Sequence, residues 1–434
     1  MRTSRTTVTG ATATLLALPL LWAGPSTAAT PERPTRVERV SVAGESVEAN
    51  WAHGGAVSAD GRYVAFYATD LEVDGEVVPQ GAFVRDRLSD STQLVSVGVS
   101  GDPVPVDAAR VIDISDDGNR VLFMGYEPGF VTGDTNNALD VFVRDVQAGT
   151  TERASVRRND SQLARDSGLG VLSGDGDHVA FSTAGKAAPG DHNRGYDVFV
   201  RNVDSDVTRL VSHGATGRAH SSSPSISQRG RFVAFDSDAT GLVAGDSNDA
   251  TDVFLRDRRL DTTTLISTAS AGGLSNGDSY SPAVSPHGAF VAFFSYADDL
   301  VTGDTNGFTD VFLHDVARGA TTRVSVSSSG AEPNGASWNP RVSTGGGVVM
   351  FESSADNLVG GPATSLYVHN RHADWTRRVA TDSEGRAVVA EPASLDMTTD
   401  GRSLLFCTAD GTVVSGDTND APDVFVRELR LGSW

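Results

Sequence analysis

Five segments of this 434-residue chain carry two aspartates and an asparagine at the same spacing, i, i+2 and i+6. They are Asp134, Asn136 and Asp140; Asp191, Asn193 and Asp197; Asp246, Asn248 and Asp252; Asp304, Asn306 and Asp310; and Asp417, Asn419 and Asp423. A tight loop lets such side chains converge. Two carboxylates held close repel unless a cation or several hydrogen-bond donors compensate. Carboxylate and amide oxygens, completed by backbone carbonyls and water, suit calcium. Asp and Asn also favour turns on their own account, because they bond nearby backbone. Structural turns, with the final Asp capping loop amides, are therefore the first reading. Calcium that braces the loops is the second. The spacing departs from the EF-hand loop, whose ligands include a fifth-position group and a distant glutamate.

Catalytic motifs are missing from the sequence. Its one Gly-x-Ser-x-Gly match, Gly273-Leu274-Ser275-Asn276-Gly277, lacks the strand-to-helix setting of a nucleophile elbow, and no His-Glu-x-x-His occurs. Its one cysteine, Cys407, lies in the apolar run Ser403-Leu404-Leu405-Phe406-Cys407, which suits a core residue rather than a nucleophile. The nine histidines are scattered. No residue is assigned a catalytic role.

The elements that must position the five loops repeat with them. Phe66, Phe123, Phe181, Phe235, Phe293, Phe351 and Phe406 recur at intervals of 54 to 58 residues, which gives seven copies. Each copy shows four strand signals. A short run such as Pro282-Ala283-Val284-Ser285 leads into a Gly-containing turn, Pro286-His287-Gly288. An apolar second strand follows, Phe290-Val291-Ala292-Phe293, as expected for a sheet covered on both faces. The Asp-Val-Phe-Leu-His segment at 310–314 is the third strand, and Thr321-Thr322-Arg323-Val324 is the fourth. The aspartate loops join second strand to third. The first copy has Glu72, Asp74 and Glu76 there instead, and the sixth has Gly360-Gly361-Pro362-Ala363.

Four antiparallel strands in each of seven copies predict an all-β, seven-bladed β-propeller. The last copy lacks a fourth strand, and residues 35–42 match that strand. Pairing the two regions would close the ring and remove an open edge. The Ser-Pro-x-Gly turn, the Val-Ala-Phe second strand and the Asp-Val-Phe-Val-Arg third strand resemble those of TolB-type propeller repeats. The resemblance spans residues 36–434, without the extra N-terminal domain of TolB. It implies a platform that binds something, not a named reaction.

Strand directions place the aspartate loops on the same face as the long connections between blades. Those connections end beside the innermost strands, so their last residues ring the mouth of the central channel. Trp51, His53, Arg218, His220, Asp278, Tyr280, Trp338 and Asn339 fall there. Aromatic rings beside amides and an arginine suit a sugar or a peptide. Packing of Trp51 and Trp338 as plugs is the competing reading. The resulting expectation is a non-catalytic scaffold for a protein or glycan at the cell surface. The alternative is a carbohydrate-active lyase or glycosidase built on His53, Arg218, His220 and Tyr280. Oligogalacturonate lyases, propellers of related architecture, place a metal and histidines at that mouth, but no comparable histidine cluster is visible here.

Arg2 and Arg5 precede the apolar run Leu15–Trp22 and the small residues Ser26-Thr27-Ala28-Ala29. This pattern predicts a signal peptide over residues 1–29, an exported propeller over 30–434, and no membrane span. Monomer is the default oligomeric state. A net charge of −21 argues against nucleic acid as a partner.

Overall fold

Seven four-stranded antiparallel sheets succeed one another along the chain and form the blades of a propeller. The computed structural model describes residues 36–43, 47–106, 113–360, 364–391 and 395–429. Residues 1–29, which the sequence reading takes as a signal peptide, lie outside the described residues. Blade five shows the common pattern: strands Ser279–Val284, Phe290–Ser295, Asp310–Asp315 and Ala320–Arg323, each paired with the next.

The repeated phenylalanines explain why this pattern recurs. Each faces an aromatic ring on the third strand, as in Phe123–Phe142, Phe235–Phe254 and Phe293–Phe312, with centroids 5.7 to 5.9 Å apart. All six of these rings are essentially fully buried. Removing one such ring costs about 3–5 kcal/mol, because the close-packed surroundings collapse only partly.

The turn from first to second strand carries a left-handed glycine in every blade, for example Gly288 with φ 72°. A second constraint acts on that residue. A Cβ at Gly288 would lie 2.2 Å from the Phe232 ring of the preceding blade. This contact packs neighbouring blades edge to edge.

Blade seven is built from both chain regions, as the sequence predicts. Val37–Arg39 pairs with Asp423–Glu428 in the register Val37↔Arg427, Glu38↔Val426 and Arg39↔Phe425. Ser41 Oγ then donates to Asp423. The described strand is shorter than the predicted 35–42, because Val42–Ala43 leaves to pair with Val47–Glu48.

Two features go beyond the sequence reading. Blade one has no aspartate loop. Its middle strands lengthen to Tyr63–Val73 and Glu76–Asp86, joined through Asp74 and Gly75 at φ 55° and 83°. Glu72, Asp74 and Glu76 are thus part of a two-residue hairpin with the twist of a type I′ turn. The innermost strands are also bulged. Register shifts occur between His53 and Ala56, Gly168 and Val171, Ser222 and Ser225, Tyr280 and Ala283, and Trp338 and Arg341. Each bulge in blades three to six holds a non-glycine residue with positive φ: Leu169, Ser223, Ser281 and Asn339. Such backbone costs on the order of 1–3 kcal/mol and persists only where the surroundings enforce it. A bulge of this kind bends its strand and re-aims the residues after it.

Candidate functional site

The aspartate loops and the interblade connections do share a face, and hydrogen bonds join them. Asn248 Nδ2 donates to Ser275 O at 3.1 Å, Thr251 N to Asp278 Oδ1 at 2.8 Å, and Ser279 N to Thr251 O at 2.7 Å. Blade two repeats this with Asn136 to Leu163 O, Leu139 N to Asp166 Oδ1, and Ser167 N to Leu139 O. Each loop therefore positions the entry to the next blade.

Within the loops the three residues converge. Asn306 Nδ2 donates to Asp310 Oδ2 at 2.9 Å, and Asn306 Oδ1 accepts from Phe308 N at 2.8 Å. The asparagine, rather than the final Asp, caps the loop amide. The final Asp is a latch for the fourth strand. Ser325 Oγ donates to Asp310 Oδ1 at 2.6 Å and accepts from Val311 N at 3.0 Å. Ser155 with Asp140, Ser212 with Asp197, and Ser267 with Asp252 do the same. Burial pushes these carboxyls up: Asp197, Asp304 and Asp423 reach about 6, and Asp140, Asp252 and Asp310 rise in the same direction.

What neutralises the pair differs between blades. An arginine on the fourth strand lies between the two carboxylates in blades two, five and seven: Arg153, Arg323 and Arg39. Blades three and four have Leu210 and Leu265 in the same register.

The eight predicted rim residues occupy the loop face and form local pairs. Trp51 stacks on His53 at 5.5 Å and meets Tyr67 edge-on. Trp338 Nε1 and Asn339 Nδ2 both donate to Glu352, at 2.8 and 2.9 Å, and so satisfy a carboxylate that is only 2 % exposed. Tyr280 packs on Phe294 and edge-on to Tyr296. His220 Nδ1 accepts from Tyr196 N at 3.2 Å, Arg218 is exposed beside it, and Asp278 holds Thr251 as above. Burial lowers the His53 imidazole below its usual range.

A second site, invisible in the sequence reading, lies deeper. The innermost strands of all seven blades line a channel cavity of about 190 Å³. The position paired with the residue before each repeated phenylalanine contributes Ala56, Asp113, Val171, Ser225, Ala283, Arg341 and Asp396, one from each blade. Asp113 accepts from Leu172 N at 2.8 Å and Asp396 from Val57 N at 2.9 Å, each reaching the next blade. Arg341 Nε stands 3.9 Å from Asp396. Desolvation deep in the ring, helped by Asp396, pushes Asp113 up to about 7, and Asp396 is also raised. Water still reaches the channel, for the Asp396 side chain is 24 % exposed. The sequence signal was three charged residues, Asp113, Arg341 and Asp396, at a repeat position filled elsewhere by Ala, Val or Ser, and it becomes visible only once the strand registers are aligned.

No protein-family model matches the sequence, and no curated protein does. Solved structures do match. An oligogalacturonate lyase in complex with manganese is similar with a TM-score of 0.53 at 12 % identity, over 92 % of this chain and 97 % of its own. The propeller domain of the Trilobed protease from Pyrococcus furiosus, described as an open velcro topology, gives 0.52 at 9 % identity over 87 % and 95 %. TolB from Acinetobacter baumannii gives 0.41 at 12 % identity over 86 % and 82 %. At these identities the likeness concerns the fold alone, a seven-bladed β-propeller in keeping with the TolB-type repeat pattern. No helix among the described residues is long and apolar enough to cross a membrane.

Proposed function

We propose that this chain is an exported, non-catalytic binding propeller that holds a glycan or peptide segment on its loop face. One observation carries this reading. Among the described residues the exposed aromatic side chains are Tyr126, Tyr196, Tyr296 and Phe308, and all four follow a second strand on that face. Exposed aromatic rings lose contact with water when a sugar ring or peptide covers them, and they cost little side-chain entropy to fix. The opposite face presents tight turns whose glycines are needed for packing.

The test is a glycan and peptide array probed with residues 30–434. Tyr296→Ala and Phe308→Ala are expected to weaken binding roughly tenfold or more, as loss of a hot-spot aromatic does. Leu260→Glu, on a turn of the opposite face, should leave binding unchanged. The reverse pattern would remove the loop face from consideration.

The channel favours a second reading, a carbohydrate-active enzyme. A carboxyl raised to about 7 can donate a proton near neutral pH. Asp113 would be that donor, with Asp396 and Arg341 on the same cavity wall. Turnover of oligogalacturonides, assayed with and without manganese and lost in Asp113→Asn, would support it.

A further inference from the structure

The five aspartate loops are built alike, yet only three contain a positive charge. In blade five Arg323 Nη1 lies 3.1 Å from Asp304 and 3.2 Å from Asp310. Arg153 repeats these distances to Asp134 and Asp140, and Arg39 lies 3.3 and 3.5 Å from Asp417 and Asp423. A single nitrogen between two carboxylates marks where a cation belongs. Strand register puts it there: Arg323 opposes Phe312, Arg153 opposes Phe142 and Arg39 opposes Phe425.

Leu210 opposes Phe199 and Leu265 opposes Phe254 in the same register. Blades three and four thus keep both carboxylates and lose the guanidinium. Acceptors without a hydrogen bond occur in both blades, and also at Asp417 of blade seven, where Arg39 Nη1 nevertheless stands 3.3 Å from Oδ1. Asp191 Oδ1, Asn193 Oδ1 and Asp197 Oδ2 are buried and meet no donor among the described residues, and Asp246 Oδ1 is in the same condition. Asn193 and Asp197 are 3 % and 2 % exposed, and Asp246 is 9 % exposed. Blade three differs further. Gly195 packs against Ala219 O so closely that a Cβ would fall 1.8 Å away, and Asn193 Oδ1 lacks the loop-amide donor that its counterparts have. Buried acceptors without donors and paired carboxylates without a cation are both costly.

We propose that blades three and four each bind a calcium-class divalent cation at the point where blades two, five and seven hold an arginine nitrogen. Asp191, Asn193 and Asp197 form one site; Asp246 and Asp252, with the Asn248 loop, form the other. An all-oxygen set of carboxylate and amide groups on a loop suits calcium rather than zinc or copper, and backbone carbonyls and water complete the shell. Calcium–oxygen bonds of about 2.3–2.6 Å require the carboxylates to close by less than about 1 Å from the spacing seen around Arg323. Two carboxylates per ion place the affinity on the order of 10⁻⁴–10⁻³ M. Blade three has rival charges, since Lys186 and His192 act electrostatically on Asp191. Blade four has none comparable: the charged groups acting on Asp246 and Asp252 are Asp249, Asp278 and each other.

Calcium titration calorimetry on the full chain, stripped with EDTA and returned to neutral pH, tests this. Wild type should take up two ions per chain, with saturating calcium raising Tm by roughly 3 °C or more. Leu265→Arg should lose one ion and Leu210→Arg/Leu265→Arg both, while Tm in EDTA stays at or above the wild-type value. Arg323→Leu should gain a third ion, a result that does not depend on the arginine variants folding. Lys186→Ala should tighten the blade-three site if the ion sits there. Absence of calcium uptake by wild type overturns the proposal, and so does undiminished stoichiometry in the folded double variant.

Discussion

Blades four and five are neighbours, share one strand register, and face the same electrostatic problem with different means. Both bury a pair of aspartates beside an asparagine, and both latch the second aspartate to a serine. Blade five places Arg323 between the carboxylates, and blade four has Leu265 at the same register position, packed against a hydrophobic cluster. The latch and the asparagine cap are therefore the common framework, and the neutralising charge is a separate, exchangeable part. One repeat carries its charge in its own chain, whereas the other keeps the carboxylates without one.

The largest expected effect comes from breaking the built-in version. Arg323→Leu, measured by urea unfolding in EDTA, should cost about 3–5 kcal/mol, the usual loss when one member of a buried ion pair is removed. Calcium should restore part of this loss. A loss below about 1 kcal/mol would show that the carboxylates do not need the charge, and the contrast between the blades would disappear. Next come the buried latches. Asp310→Ala should cost more than Asp252→Ala in EDTA, because the first removes one of the buried partners of Arg323 whereas the second relieves repulsion from Asp246. The expected gap is about 1–2 kcal/mol, and equal losses would contradict the electrostatic account. The shared framework should respond equally. Asn248→Ala and Asn306→Ala each remove one bond to the final Asp and one to the next blade's entry, at a cost of about 1–2 kcal/mol apiece.

The channel supplies a third way of neutralising a carboxylate, by a proton. Asp113 is raised from 3.8 to about 7, so the folded state holds a proton that the unfolded chain releases earlier. Stability attributable to Asp113 is full below about 4 and declines as pH rises through about 7. Thermal melts across that window should fall less steeply in Asp113→Asn than in wild type. This is the smallest of the effects, because channel water shields the carboxyl. Identical slopes would mean that Asp113 ionises freely.

Much of this architecture was legible before any coordinates. The phenylalanine spacing gave the blade count, and the match of residues 35–42 to the missing fourth strand gave the closure, because both rest on periodicity and pairing that the chain displays openly. The aspartate loops were legible as loops. Their division into two kinds was not, because it depends on which fourth-strand residue stands opposite the third-strand aromatic ring. Arg323 and Leu265 are each unremarkable in an outer strand until that register is known. Asp113, Arg341 and Asp396 were hidden for a related reason. In blades three to six their shared slot follows a bulge, at positions such as Ser281 and Asn339, where positive φ in a residue other than glycine leaves no trace in the sequence. Trp338 was read as a ligand-stacking residue or a plug, and its bond to the buried Glu352 gives it a packing role.

The union of Val37–Arg39 with Asp423–Glu428 bears on the order of events during synthesis. Ser41 and its partner Asp423 are 382 residues apart, so the strand made before any blade must wait until the last blade has emerged. Blades one to six can assemble from local contacts as they leave the ribosome, whereas the ring's final seam spans almost the whole chain and is the slowest kind of contact to form. Until then the early segment, which carries the Arg39 needed by Asp417 and Asp423, has no place to dock. A nascent chain stalled before residue 423 should thus present an unsealed ring to proteases and chaperones, and tethering the two ends should speed maturation more than it adds stability.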